Sequence, residues 1–255
     1  MTIGSTISEA IGKAKAQGQP AIVAYITAGF PKREKFLEQL QAVAAAADVV
    51  EIGVPFSDPM ADGTTIQRSS RAALDQGVSL RWILSELAGQ PRGATPLLLM
   101  SYLNPLLAYG VERLPKAAAE AGIAGFIVPD LPYEESAELR AALEAHGIAL
   151  VQFVTPVTPL DRMAMLCQAS RGFIYGITMT GTTGKNVAVP QQVLDYFASV
   201  KRISPVPVCA GFGIRSREQV ALMAPYVDGV IVGSALVEVM ERGEDPAAFL
   251  RSLRG

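Results

Sequence analysis

Histidine and cysteine, the side chains that most often ligate metals or serve as nucleophile and base, are nearly missing from this sequence. The chain has one histidine, His146, and two cysteines, Cys167 and Cys209. The cysteines stand far apart with no companion cluster. That spacing suggests neither a zinc site nor a disulfide framework and leaves two buried, inert thiols as the expectation. His146 stands immediately before Gly147, the pattern of a last helical turn followed by a C′ glycine, so it reads as a charge near a helix C-terminus. Any proton transfer then falls to Asp, Glu, Tyr or Lys.

Charge is also scarce. Charged residues make up 18% of the chain against 50% hydrophobic, and the formal net charge is -2. A solvated, disordered polyelectrolyte is excluded, and there is no basic excess for gripping a nucleic-acid backbone. No apolar run approaches the ~20 residues that a membrane-spanning helix requires. The first sixteen residues mix Ser8, Glu9, Lys13 and Lys15 among small apolar residues, unlike the continuous hydrophobic stretch of a signal peptide. A cytoplasmic location is expected.

What the sequence does have is alternation. Short β-branched runs at residues 21–28, 48–54, 96–103, 124–129, 149–155, 172–178, 206–210 and 229–232 read as eight buried parallel strands. Segments of helical period lie between them at 33–46, 65–76 with 80–87, 111–121, 134–146, 160–169, 190–200 and 217–224, and two more follow at 236–242 and 246–253. An opening helix at 7–16 is placed to cap the lower end of the barrel. Eight strands in strict alternation over 255 residues predict one closed (β/α)₈-barrel domain spanning 1–255, with an extra N-terminal helix. An open dinucleotide-binding sheet is the competing architecture, but Gly29-Phe30-Pro31 stands where its Gly-x-Gly-x-x-Gly would follow the first strand, so no nicotinamide cofactor is expected.

In such a barrel the reacting groups lie at the C-terminal strand ends and in the loops beyond them. Glu51 interrupts an otherwise apolar strand, where an unpaired charge is expensive. Desolvation there raises a carboxyl toward neutrality, so that one group both accepts and donates a proton. The following loop carries Asp58, whose position before Pro59 reads as turn chemistry, and Asp62, placed to fold back over the barrel mouth. Strands seven and eight end in Gly211-Phe212-Gly213 and Gly233-Ser234, where bare backbone N–H groups and a helix N-terminus suit a phosphate. The hydroxyl-rich stretch from Thr180 to Asn186 has the composition of an active-site lid.

The fourteen residues from Val50 to Gly63, reading VEIGVPFSDPMADG, strongly resemble the signature of the tryptophan synthase α subunit. Leu99 to Pro105, Pro129-Asp130-Leu131-Pro132, Thr183-Gly184, Gly211-Phe212-Gly213 and Gly233-Ser234 extend the resemblance over nearly the whole chain. It implies retro-aldol cleavage of indole-3-glycerol phosphate to indole and glyceraldehyde 3-phosphate. Glu51 would be the proton shuttle, Asp62 the acceptor of the indole N–H and Tyr175 an assisting hydroxyl. Gly184, Gly213, Gly233 and Ser234 would contact phosphate. Tyr25, Met100, Ile127 and Phe153 would line the indole pocket, and Tyr102, Thr183 and Phe212 stand within the matched motifs as further substrate-binding candidates. No metal or cofactor is implied for this chain. The resemblance implies instead a pyridoxal-phosphate-dependent β subunit in an α₂β₂ assembly, docked on the Phe56 to Met60 loop, the Asn104-Pro105 turn and the Asp130-Leu131-Pro132 turn. Two departures stand out: Thr64 occupies a position where proline is common in the family, and Thr178-Met179-Thr180 lacks the arginine many members carry. A stand-alone indole-releasing lyase, another phosphosugar barrel such as an isomerase, and a non-catalytic scaffold for a β subunit are the alternative readings.

Overall fold

Residues 21–27 of the first apolar run are buried without exception, as they must be in a strand covered on both faces. In the computed structural model, which describes residues 3–178, 189–211 and 213–254, this run is β1 (Ala21–Thr27). It is followed by β2 (Val49–Gly53), β3 (Leu97–Met100), β4 (Ile123–Ile127), β5 (Ala149–Val154), β6 (Ile174–Ile177), β7 (Val208–Gly211) and β8 (Gly229–Val232). The strands are parallel, lie in chain order, and close when β8 pairs with β1. The expected (β/α)₈ barrel is therefore the observed fold.

Because successive strand residues point to opposite faces, each strand feeds two cores. Val23, Val49, Leu98, Val151, Phe173 and Cys209 pack with one another in the barrel interior. Their sequence neighbours Ile22, Val50, Leu99, Leu150, Ile174 and Val208 pack outward beneath the helices. Helix α1 (Ser5–Ala16) contributes Ile7, Ile11 and Ala14, spaced for one helical face, to the interior cluster. It plugs the N-terminal end, and Ser8 Oγ fixes it by donating to Gly172 O at 2.6 Å. The barrel's other end is left for loops.

The remaining helices are α2 (Phe36–Ala44), α3 (Thr64–Asp75), α4 (Leu80–Ala88), α5 (Leu103–Tyr109), α6 (Leu114–Glu120), α7 (Ala137–Glu144), α8 (Leu160–Ala169), α9 (Gln191–Ile203), α10 (Arg217–Met223), α11 (Ser234–Glu241) and α12 (Pro246–Ser252). Three expectations need correction. The third strand stops at Met100, not at Leu103, and α5 occupies what reads as a strand end and turn. Pro105 is tolerated because it falls in the first helical turn, whose N–H groups lack intrahelical acceptors; one of those, Leu103 N–H, finds the Asp130 carboxylate at 2.9 Å instead. The segment expected as one helix from 111 begins only at Leu114. His146 lies beyond the end of α7, exposed, with Nδ1 3.0 Å from Ala142 O, while Gly147 adopts the left-handed φ of 73° that terminates the turn.

Candidate active site

Glu51 lies on β2 between Val49 and Gly53, on the side of the strand that faces the barrel interior. It is 1% exposed, and neither carboxyl oxygen has a hydrogen-bond partner among the described residues. No described basic side chain pairs with it. An ionised carboxylate so placed would lose its hydration without compensation. Burial, and secondarily the charge of Asp62, push the Glu51 carboxyl up to about 8. At neutral pH it is a proton-loaded acid.

Asp62 arrives from the loop joining β2 to α3, and Tyr102 holds that loop at two points. The Tyr102 ring stacks on Phe56 at 5.2 Å with an interplanar angle of 29°. Its hydroxyl accepts from Ala61 N–H at 2.9 Å and hydrogen-bonds the Asp62 carboxyl. Burial pushes Asp62 up to about 6, against the lowering effect of the Tyr102 bond, so Asp62 is mostly ionised at pH 7. The Tyr102 hydroxyl itself, raised by burial to about 12, keeps its proton and acts as a donor. Two carboxylates in one barrel mouth are thereby driven to opposite protonation states, which divides acid from counter-ion.

Tyr25 and Tyr175 complete the polar wall, and glycines make room for their rings. Tyr25 pairs in register with Glu51, so the two side chains share a face. A Cβ at Gly53 would collide with the Tyr25 hydroxyl end, and one at Gly211 would lie 2.6 Å from Tyr175 Cε1. Glycine is thus required two residues beyond Glu51 and two beyond Cys209. The Tyr25 hydroxyl is 3.3 Å from Thr27 Oγ1, which is 2.6 Å from Ser69 Oγ; Ser69 donates to Ile66 O at 2.8 Å. Tyr175 packs on Phe153 at 4.9 Å and pairs with it in register. Burial, then Glu51 and Asp62, hold the Tyr175 phenol well above its usual range. It is a neutral donor and not a base. Met100 bridges the interior cluster and the Tyr25 cluster, and Ile127 is fully buried in the former.

The structure thus brings Glu51, Asp62, Tyr25, Tyr102 and Tyr175 within electrostatic reach of one another. Met100, Ile127 and Phe153 stand on the same inner wall. Across the mouth, Gly213 follows β7 with a φ of 73°, and Gly233 caps α11, whose first residue is Ser234. Thr183, Gly184, Phe212 and the rest of the expected lid at 180–186 lie outside the described residues. Asp58, in keeping with turn chemistry, is exposed and accepts from its neighbour Ser57 Oγ. Cys167 and Cys209 are buried and unpaired, with burial raising both thiols. Among the described residues no cluster of His, Cys, Asp and Glu is suited to a metal, and no helix is long and apolar enough to cross a membrane.

Sequence reasoning missed Thr27, Ser69 and the room that Gly53 and Gly211 make for the tyrosine rings. The two glycines had a signal: each is the strand residue two positions after an inward-facing one, where a side chain would otherwise fill the mouth. Ser69 had none, because its role depends on how α3 packs against β1.

The model of the tryptophan synthase alpha chain family matches residues 11–253. The tryptophan synthase alpha chain of Solidesulfovibrio magneticus is 43% identical over 255 residues, covering 98% of this chain and 99% of that protein. That of Roseiflexus is 43% identical over 260 residues, covering 98% and 100%. Among solved structures, tryptophan synthase from Mycobacterium tuberculosis superimposes with a TM-score of 0.89 at 36% identity, covering 97% of this chain and 96% of that one. The alpha subunit from Legionella pneumophila gives 0.87 at 33%, covering 98% and 97%. The chain belongs to the tryptophan synthase alpha chain family, whose members are lyases that cleave indole-3-glycerol phosphate.

Proposed function

We propose that Glu51, Asp62 and Tyr175 carry out this cleavage, and that Glu51 acts first as acid and then as base. The observation that carries the assignment is the buried Glu51 carboxyl with both oxygens unpartnered, a proton donor that nothing among the described residues holds elsewhere. Glu51 gives its proton to indole C3, and the ring becomes cationic. Asp62, ionised at neutral pH, accepts the indole N–H, and that bond strengthens as positive charge develops, so its help is selective for the transition state. The bond between C3 and the glycerol side chain then breaks, its electron pair neutralising the ring. The side-chain hydroxyl loses its proton to the Glu51 carboxylate and becomes the aldehyde. The proton count closes and Glu51 returns to its starting state. Tyr175, held neutral, donates to the departing side chain's oxygen.

The flat wall of Tyr25, Met100, Ile127 and Phe153 suits indole, and Tyr102 positions the Asp62 loop. Gly213, Gly233 and Ser234, with Thr183, Gly184 and Phe212, receive the phosphate. No metal or cofactor has a role in this scheme; pyridoxal phosphate belongs to a β partner. That partner docks on the upper face in an α₂β₂ assembly. Met60, 82% exposed, stands on a segment expected to meet it; Leu107 on α5, just beyond Asn104-Pro105, is 51% exposed, and Val157 and Leu160, 72% and 67% exposed, extend the same face beyond β5. The chain works as one domain, and two free buried thiols suit a reducing, cytoplasmic setting. The test is to mix the purified chain with indole-3-glycerol phosphate and follow indole release. Release that survives Glu51→Gln unchanged overturns the assignment, and equal rates with and without a β subunit would favour a stand-alone lyase.

A further inference from the structure

Arg215 and Glu238 form an ion pair that no step of the mechanism uses. Arg215 sits two residues beyond Gly213, in the loop between β7 and α10. Its guanidinium grips Glu238 at both ends, Nη1 to Oε2 at 2.7 Å and Nη2 to Oε1 at 3.0 Å. Glu238 stands one turn into α11, the helix that opens at Gly233 and Ser234. The pair therefore ties the loop carrying one half of the phosphate cradle to the helix carrying the other half.

Both members are themselves anchored. Arg215 N–H donates to Gln219 Oε1 at 2.7 Å, inside the capping box that Ser216 and Gln219 make at the start of α10. Glu238 Oε1 also accepts from Thr65 Oγ1 at 3.2 Å, and one turn further Arg68 grips Glu241 at 2.9 and 2.6 Å. Both contacts lace α11 to α3. Glu238 is 27% exposed and Arg215 38%, so neither side chain swings freely in solvent. A bidentate guanidinium–carboxylate pair constrains direction as well as distance. Half-exposed pairs of this kind add little to global stability, which leaves geometry as their effect.

Resting on the phosphate reading of Gly213, Gly233 and Ser234, we propose that Arg215 and Glu238 are positioning residues that hold the two halves of the phosphate cradle in register. The variant R215A/E238A removes both charges together, so the net charge at the site is unchanged, and Thr65→Val, which removes only the bond from Thr65 to Glu238, controls for the contact to α3 and is expected to leave inhibition by inorganic phosphate unchanged. In the purified chain, the inhibition constant of inorganic phosphate against indole-3-glycerol phosphate and the KM for that substrate are both expected to rise about three- to tenfold, with kcat within about twofold, as for a small misplacement of binding groups. The exchanged pair R215E/E238R is expected to restore most of the loss. A purely structural pair would lower the thermal midpoint and leave the inhibition constant alone, and that result overturns the proposal. If phosphate does not compete in the unaltered chain, the phosphate reading itself fails and the clamp falls with it. If phosphate competes equally in the unaltered chain and in R215A/E238A, only the clamp is overturned.

Discussion

Glu51→Gln tests the state of the buried acid without any substrate. The change keeps the size of the side chain and removes its ability to ionise. In the unfolded chain the Glu51 carboxyl titrates near 4.5, whereas in the folded barrel burial holds it at about 8. Between those values the native state keeps a proton that the unfolded state has released, so the stability this group confers is fully present below 4.5 and is lost as pH rises to about 8. Each pH unit in that window lowers the stability of the unaltered chain by about 1.4 kcal/mol relative to the glutamine variant. From pH 5 to pH 8 the difference between the two proteins is expected to move by roughly 3–4 kcal/mol in favour of glutamine. Every other ionisable group is common to both and largely cancels. Urea unfolding at pH 5, 6, 7 and 8 provides the measurement. The single tryptophan, Trp82, packed on Phe36 at 5.4 Å and under the Arg33 guanidinium at 4.8 Å, serves as the fluorescent reporter. Parallel stability curves for the two proteins across this range would refute the burial argument and with it the acid role.

The same substitution is expected to lower turnover by ~10²–10⁴-fold while substrate binding survives, read from steady-state indole release. The pH profile of kcat/KM should be bell-shaped, with an acid limb near 6 where Asp62 takes up a proton and a basic limb near 8 where Glu51 loses one. Asp62→Asn should abolish the acid limb and shift the basic limb to lower pH, since the charge raising Glu51 is gone; a basic limb that stays put contradicts the coupling. Gly211→Ala places a methyl 2.6 Å from Tyr175 Cε1 and is expected to cost ~1–3 kcal/mol in urea unfolding and about tenfold or more in kcat/KM. Met60→Asp together with Val157→Asp should leave the chain's own thermal midpoint unchanged and abolish co-elution with a β subunit on gel filtration.

The barrel was legible because its strands are buried on both faces. Ala21–Thr27 and Val49–Gly53 leave no polar residue except those with work to do, so the run lengths and the position of Glu51 could be read together. Resemblance added what periodicity does not carry, the role proposed for Asp62 and the wall proposed to face indole. Two of the misreadings share one cause. Leu103 continues an apolar run and precedes Asn104-Pro105, a local pattern that ends a strand, yet the acceptor that starts a helix there is Asp130, twenty-seven residues away. Ser69 reaches Thr27 across forty-two residues in the same manner. Contacts made only after closure leave no mark on the residues around them.

The pairing of Glu51 with Asp62 also explains why a second carboxylate belongs beside an acid that is already hard to ionise. Alone in an apolar wall, Glu51 would hold its proton and, once it gave that proton up, would be the sole counter-charge to the cationic ring. Asp62, closer to the solvent edge and bonded to Tyr102, stays charged and raises Glu51 further. In the proposed scheme, once the proton moves to C3 the new positive charge faces two carboxylates in place of one, and that attraction offsets the repulsion that ionising Glu51 beside Asp62 creates. The attraction of Asp62 for the ring is thus greatest at the point along the reaction where it lowers the barrier. On the proposed roles, a barrel with Glu51 and without Asp62 would be a slower lyase.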